Sequence, residues 1–226
     1  MPTSVLVCAA HPDDEVLGCG ATMARHAAKG DRVHVLILGQ GLVSRGHSAG
    51  TEAALAELRS TAKRANDTLN AASLEMLDFP DNRLDTVARL DLAKAIEDTL
   101  QRLAPQIVYT HFPADLNVDH GRVSDAVCVA CRPLPGSSVK SLRFFEVQSS
   151  TEWRPAAGAA SFAPNLYVDV SQTIGKKLDA LRIYGREMRP WPHARSLEAV
   201  EHLARWRGAS AGVGAAEAFM IAREID

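Results

Sequence analysis

Short apolar runs alternate with longer amphipathic stretches along most of the chain. The short runs predict strands over residues 5–10, 33–38, 74–77, 107–110, 142–147 and 166–170. Apolar positions at helical spacing predict helices over residues 16–29, 48–69, 86–103, 119–131, 171–185 and 197–206. Strands that alternate with helices favour an α/β fold, in which helices cover both faces of a mostly parallel sheet.

The composition is typical of a folded globular protein. The 226 residues suit a single domain over 1–226, since no repeat or linker divides them. The apolar share of 46% and the charged share of 23% exclude a disordered or collagen-like chain. A net charge of -2 gives no basic excess for nucleic acid, and no apolar stretch is long enough to cross a membrane.

The chain has four cysteines, too few and too scattered for a disulfide framework. Cys128 and Cys131 form a C-x-x-C pair, but the pair lies within a helical pattern and has no second pair to complete a zinc site. The N-terminal apolar run leads directly into a charged motif and therefore predicts a core strand, not a signal peptide. We expect reduced thiols and a cytoplasmic protein.

The first predicted strand is followed at once by a polar motif, His-Pro-Asp-Asp-Glu at residues 11–15. His11 and Asp14 are three residues apart, so a turn can bring both to one point, while Asp13 points elsewhere. Imidazole and carboxylate are good zinc ligands, and Asp13 is placed to act as a base. The alternative is structural: an Asp side chain caps the following helix and His11 is merely packed.

A second polar stretch follows the strand predicted over 107–110 and ends at His120. Both stretches follow a strand and precede a helix, so they share the rim where open α/β sheets bind ligands. With His120 as a third ligand, two histidines and one carboxylate leave a position for water, as in catalytic zinc sites. Zinc makes hydroxide available near neutral pH. We expect one zinc ion per chain, although ferrous iron or cobalt fits the same ligands.

The two polar blocks, residues 11–15 and residues 115–120, resemble those of the PIG-L/LmbE-like deacetylase family. The resemblance covers most of the chain and includes Gly41 with Ser44 and Arg45, and the Phe-Pro-Asp-Asn-Arg-Leu stretch at 79–84. It implies a Rossmann-like three-layer α/β sandwich. It also implies a zinc-dependent hydrolase that removes an N-acyl group, usually acetyl, from an amino sugar or its conjugate.

The resemblance also assigns roles to individual residues. It implies that His11, Asp14 and His120 bind the metal and that Asp13 is the general base that activates the metal-bound water. Asp119 matches an acidic residue that orients the site.

The chain departs from the family at Asn117, where many members carry a histidine that stabilises the oxyanion or the leaving amine. Asn117 cannot be a cation, although its amide can donate a hydrogen bond to an oxyanion. The general acid is therefore open: Asp13 itself, His193 in a Pro-rich loop, or His111 at a strand end. A solvated His193 in an ordinary turn is the structural alternative.

Four residues in loops near the predicted rim are candidates for substrate binding, because carboxylates and arginines are common partners of sugar hydroxyls and phosphates. They are Ser44, Arg45, Asp81 and Arg83. The expected partner is a small-molecule amino sugar, and a homo-oligomer stays open.

Two rival substrates stay open, and two other classes of function are disfavoured. The same chemistry would serve a thiol-sugar conjugate, or remove a formyl group from a sugar. A non-catalytic Rossmann-like binding module is disfavoured, since no G-x-G-x-x-G follows the first strand. A serine hydrolase is disfavoured because the chain has no G-x-S-x-G motif.

Overall fold

A computed structural model describes residues 2–41, 52–155 and 160–226 of the chain. Ser44 and Arg45, two of the expected substrate contacts, lie outside these residues.

Strands and helices alternate through the first two-thirds of the chain, as the apolar pattern predicts. The strands are β1 (Ser4–Ala9), β2 (Arg32–Gly39), β3 (Ser73–Phe79), β4 (Ile107–His111), β5 (Ser141–Phe145), β6 (Leu166–Asp169) and β7 (Ala216–Glu224). The helices are α1 (Asp14–Ala28), α2 (Glu52–Thr68), α3 (Arg89–Leu103), α4 (Val118–Ala130), α5 (Ile174–Ile183) and α6 (Leu197–Ala211), with a short 3-10 helix at Leu84–Thr86. The helix predicted over residues 86–103 begins only at Arg89, because Thr86 belongs to the 3-10 helix and residues 87 and 88 are extended.

The seven strands form one sheet in the order β3-β2-β1-β4-β5-β7-β6. Strands β1 to β5 pair in parallel, and β7 pairs antiparallel with both β5 and β6. The mostly parallel α/β fold is therefore confirmed. The order reverses between β1 and β4, and the carboxyl ends of these two strands flank the crevice where such sheets bind ligands.

Strand β7 is the element that the sequence analysis missed. Its register places Glu217 opposite Val168 and Phe219 opposite Leu166. Its first residues, from Ala216 to Phe219, are buried. An apolar run around Phe219 was the available signal, but the charged Glu217 interrupts it.

The sheet separates two cores because successive strand residues point to opposite faces. Val5, Val7 and Ala9 of β1 belong to the core that packs against α1, α2, α5 and α6, whereas Leu6 and Cys8 belong to the core under α3 and α4. Both faces of β1 are fully buried, which explains its continuous apolar run. Within residues 2–41, 52–155 and 160–226, no helix is long and apolar enough to cross a membrane.

Helix α1 is broken at Cys19, whose backbone leaves the helical region (φ -150°, ψ 22°). A buried ion pair replaces the lost helical hydrogen bonds. Glu217 accepts hydrogen bonds from the backbone N–H groups of Ala21 (3.2 Å) and Thr22 (2.6 Å). Lys177 donates to the carbonyl of Leu17 and to Glu217, each at 2.7 Å. Lys177 therefore binds the part of α1 that follows the polar motif, and Glu217 binds the part after the break.

Candidate metal and catalytic site

His11, Asp14 and His120 meet at the carboxyl ends of β1 and β4. Asp14 Oδ2 lies 3.2 Å from His11 Nδ1 and 3.2 Å from His120 Nε2. Asp14 is the first residue of α1 and His120 lies in the first turn of α4, so both helices present their N-terminal ends to the same point. One nitrogen of each imidazole and one carboxylate oxygen thus form a candidate metal-ligand set.

The polar atoms of this set test whether a metal fits. Asp14 Oδ1 is buried and has no hydrogen-bond partner in the part of the chain that the structure describes, and His120 Nε2 faces only the Asp14 carboxylate, with Oδ2 3.2 Å away. A buried polar atom without a partner is costly, so such atoms mark a place for a ligand. Two imidazoles and a carboxylate are also the ligands that catalytic zinc sites use. The donor set therefore fits zinc.

Two carboxylates hold the other nitrogen of His11. Its Nε2 lies 2.9 Å from Asp119 Oδ2 and 3.2 Å from Asp81 Oδ1. Asp119 is itself anchored, because the backbone N–H of Leu84 donates to its Oδ1 at 2.9 Å. A carboxylate on the outer nitrogen fixes the ring and directs the inner nitrogen to a metal. Asp119 is therefore placed to orient the His11 ring.

His120 is held in a similar way by Asp115, which the sequence analysis did not single out. His120 Nδ1 lies 3.1 Å from Asp115 Oδ1. Asp115 also accepts hydrogen bonds from the hydroxyls of Ser150 and Thr151 and from the backbone N–H of Asn117. Its position five residues before His120 in a polar motif was the only signal for this role.

The carboxylates shift the pKa values of both histidines. Burial favours the neutral imidazole, but the hydrogen bonds to Asp119 and Asp14 raise the pKa of His11 to about 10. Burial likewise opposes protonation of His120, but the charge of Asp14 and the contact with Asp115 raise its pKa to about 9. Burial would raise the pKa of Asp14, yet His120 and His11 hold it well below its usual range. In the metal-free protein the two imidazoles therefore carry protons that a metal ion must displace.

Asp13, the expected general base, lies buried beside these ligands in an unusual backbone conformation with φ 108°. It occupies the cap position of α1, but its side chain makes no capping hydrogen bond. The structural alternative for this residue, a simple helix cap, is therefore wrong. Instead Arg195 donates a hydrogen bond from Nη1 to Asp13 Oδ2 at 2.7 Å. Burial raises the pKa of Asp13 well above its usual range, although the charge of Arg195 opposes this shift.

Glu15 anchors the backbone that carries Asp13. Its carboxylate accepts hydrogen bonds from the Asp13 N–H (3.0 Å), the Asn66 amide (2.9 Å) and the Tyr184 hydroxyl (2.8 Å). Burial raises the pKa of Glu15 to about 7, against the effect of these hydrogen bonds. Glu15 thereby connects the motif to helix α2 and to the end of α5, a role that the sequence alone did not indicate.

His111 and His193 were the candidates for the imidazole that the family usually has at position 117. His111 accepts a hydrogen bond from the Ala10 N–H on Nε2 at 2.8 Å, so its proton is on Nδ1. Burial and the neighbouring charge of His120 hold its pKa well below the usual range, and its ring stacks on His120 with centroids 4.0 Å apart. These contacts make His111 a neutral packing partner of His120, a candidate metal ligand.

His193 lies in the loop that also carries Arg195. Its Nδ1 accepts a hydrogen bond from the Arg195 N–H at 3.0 Å, and its ring meets the edge of Trp153 with centroids 5.6 Å apart. The loop thus brings Arg195 to Asp13, and His193 supports that arginine. The sequence points to this loop through His193, and only the structure shows that Arg195, two residues on, reaches Asp13.

Asn117 has a structural task. It is the N-cap of α4, and its Oδ1 accepts a hydrogen bond from the Asp119 N–H at 2.9 Å. The cap fixes the amide plane, because the oxygen is committed to the helix end.

Two of the expected substrate contacts lie within the described ranges. Asp81 is buried against His11, so it lies beside the candidate metal ligands and not in an open substrate loop. Arg83 is exposed and occupies the cap position at the start of the 3-10 helix, two residues after Asp81 in the chain.

Comparison with known proteins places this fold and motif in a family. The sequence model of PIG-L, described as GlcNAc-PI de-N-acetylase, matches residues 6–131, which is more than half of the chain. The chain belongs to the PIG-L family. The matched segment contains both polar blocks and the ligand set of His11, Asp14 and His120.

Individual relatives agree with this assignment. The chain is 32% identical to the uncharacterized deacetylase YaiS of Escherichia coli over 136 residues, which are 58% of this chain and 69% of YaiS. It is 24% identical over 188 residues to a probable N-acetyl-alpha-D-glucosaminyl L-malate deacetylase 2 of Bacillus anthracis, covering 81% of this chain and 80% of that protein. The conserved protein TT1542 of Thermus thermophilus has a similar structure, with a TM-score of 0.78, 28% identity and coverage of 98% and 95% of the two chains.

Proposed function

We propose that this PIG-L family protein is a zinc-dependent hydrolase that removes an N-acetyl group from an amino sugar or an amino-sugar conjugate. The observation that carries the proposal is the meeting of His11, Asp14 and His120 around the buried Asp14 carboxylate, whose Oδ1 lacks a partner among the described residues, with the Asp13 carboxylate next in the chain. The family description and the name of the Bacillus anthracis relative both support an N-acetylated amino sugar as substrate.

His11, Asp14 and His120 would hold the zinc ion. When bound, zinc supplies a Lewis acid that polarises the acyl carbonyl and makes water a stronger nucleophile near neutral pH. Asp119 and Asp115 keep the two imidazoles in the tautomers that present the correct nitrogen.

Asp13 acts as the general base and takes a proton from the attacking water. The cap of α4 fixes the amide oxygen of Asn117. The amide nitrogen, Nδ2, then donates a hydrogen bond to the developing oxyanion. The departing amine then receives a proton from Asp13 or from His193. Arg83, with Ser44 and Arg45, binds the sugar, while Asp81 helps to hold His11.

The test is mass spectrometry of a substrate panel incubated with zinc-loaded protein. The panel contains N-acetylglucosamine, diacetylchitobiose, nucleotide-linked N-acetyl and N-formyl sugars, and a thiol-linked amino-sugar conjugate. We expect loss of an acetyl group from at least one N-acetyl substrate. Loss of formyl alone, or turnover of the thiol conjugate alone, would replace the acetyl proposal with that rival.

Two variants connect turnover to the site. His11→Ala should lose both zinc and turnover. Asp13→Asn should keep zinc yet lower kcat by about 100- to 10,000-fold, because a general base contributes that much. An Asp13→Asn protein with wild-type kcat would remove Asp13 from the mechanism, and a wild-type protein that binds no zinc would favour a non-catalytic binding module.

A further inference from the structure

Arg195 makes the one side-chain hydrogen bond to the Asp13 carboxylate among the residues that the structure describes. The contact joins residues 182 positions apart, and it lies in a largely closed environment where the Asp13 side chain is 3% exposed and that of Arg195 is 22% exposed. A carboxylate that is held by one oxygen has a defined plane, whereas an unrestrained carboxylate turns freely about its terminal bond. With Oδ2 bound to Arg195, Oδ1 is the oxygen left to accept a proton.

The guanidinium of Arg195 is itself fixed by a second contact. Its Nε donates to the hydroxyl of Ser149 at 2.6 Å, while Nη1 donates to Asp13. The loop backbone is tied to the same segment, because the Gln148 side chain donates to the Ala194 carbonyl at 3.2 Å. Asp13 and Ser149 lie on different segments, and two different nitrogens of the planar guanidinium of Arg195 bind them.

The segment that holds Arg195 also holds the ligand His120. Ser149 contacts Arg195, and the next two residues, Ser150 and Thr151, donate to Asp115, which faces His120. Three successive hydroxyl side chains after β5 therefore determine the orientation of both a metal ligand and the candidate base. Burial and hydrogen bonding of this kind leave little room for the base to move.

We propose that Arg195 is the positioning residue for Asp13, held in turn by Ser149. Arg195 keeps the base in the orientation that reaches the attacking water, and it links that orientation to the segment that orients His120. This inference rests on the proposed deacetylase function, since it assigns a task to the same Asp13. Lysine cannot replace Arg195, because a single ammonium lacks the planar fork that reaches both acceptors.

The experiment compares Arg195→Met, Arg195→Lys and Ser149→Ala with a matched control, Arg186→Met. Arg186 lies shortly before the same loop, and its exposed guanidinium pairs with Glu57 at the surface. For each zinc-loaded protein, kcat, KM, zinc content and melting temperature are measured on the best substrate of the panel. The assays are repeated with millimolar guanidinium ion.

We expect Arg195→Met to lower kcat about 100-fold with little change in KM or zinc content, because a displacement of about 1 Å at a reacting group costs that much. Arg195→Lys should resemble it, and Ser149→Ala should lose about fivefold, as for one hydrogen bond. Added guanidinium should restore part of the activity of Arg195→Met alone, which a purely structural role would not allow. Unchanged or increased kcat in Arg195→Met, with Arg186→Met normal, would overturn the proposal.

Crystal structures of wild-type and Arg195→Met protein decide the question without any turnover. We expect the Asp13 carboxylate to rotate or to adopt two orientations in the variant. An Asp13 carboxylate in the wild-type orientation would overturn the inference. If the wild-type protein hydrolyses no panel substrate, the proposed function fails while this structural comparison still decides the role of Arg195.

Discussion

Helix α1 has a buried charged cluster at its break and another at its N-terminal end, and the two differ in how well their polar atoms are satisfied. At the break, Lys177 and Glu217 pair at 2.7 Å. Lys177 also binds the backbone before the break, and Glu217 binds the backbone after it. At the N-terminal end, Asp14 Oδ1 is buried and has no hydrogen-bond partner in residues 2–41, 52–155 and 160–226.

We infer from this difference that the cluster at the break is structural and that the N-terminal cluster is the proposed ligand site. Charges that only support a fold satisfy one another, since any unpaired buried charge destabilises the folded state. Charges arranged for a ligand leave atoms that the ligand completes. Stability should therefore depend on the first cluster in all conditions and on the second through zinc.

The largest expected effect is on the satisfied cluster. Lys177→Met should lower the free energy of unfolding by about 3–5 kcal/mol, because Glu217 is left buried without its counter-ion. Urea unfolding of the metal-free protein measures it. Lys63→Met is the control, because Lys63 forms an exposed pair with Asp67 and should change stability by about 0.5 kcal/mol or less. A loss below about 1 kcal/mol in Lys177→Met would contradict the comparison.

The next effect belongs to the unsatisfied cluster. Zinc at about 100 times its Kd should stabilise the wild-type protein by about 2.7 kcal/mol, since it binds the folded state. Asp14→Asn should lose this increment, whereas Lys177→Met should keep it. Equal zinc stabilisation of the wild-type and Asp14→Asn proteins would place the metal elsewhere.

The pKa values of the two histidines set the sign of the pH dependence of this zinc effect. His11 and His120 have pKa values raised to about 10 and about 9 without metal, so protons compete with zinc below these values. The apparent zinc affinity should therefore fall as the pH is lowered from about 8 to about 6. Zinc titrations at the two pH values measure it, and a flat profile would contradict the protonation assigned to the site.

The smallest effect concerns the hydrogen bonds behind a ligand. Thr151→Val removes the hydroxyl that donates to Asp115 Oδ2 at 2.5 Å and should weaken zinc binding about tenfold. Thr99→Val is a matched control, because Thr99 is also buried but donates to the Ala95 carbonyl within α3. Equal zinc affinities of the two variants would show that Asp115 needs no support from Thr151.

Most of what could be predicted about the fold and the candidate ligands came from the spacing of residues along the chain. His11 and Asp14 are separated by one turn that directly follows a buried strand, so their proximity needs no tertiary information. His120 could be added because parallel strands end at the same rim. Strand β7 was missed because the charge of Glu217 interrupts its apolar run, and that charge is compatible with burial through Lys177 and two backbone N–H groups of α1.

The sequence by itself determined the parallel α/β class, the family and the three candidate ligands, because these depend on short-range patterns and on a rule that applies to all such sheets. Only the tertiary structure decided which side chains orient them. Arg195 reaches Asp13, and Thr151 reaches Asp115, through contacts between distant segments. The side-chain oxygen of Asn117 caps helix α4, and Asp81 lies against His11. Neither contact could be predicted from the sequence, because hydrogen bonding in a closed site depends on every neighbour present.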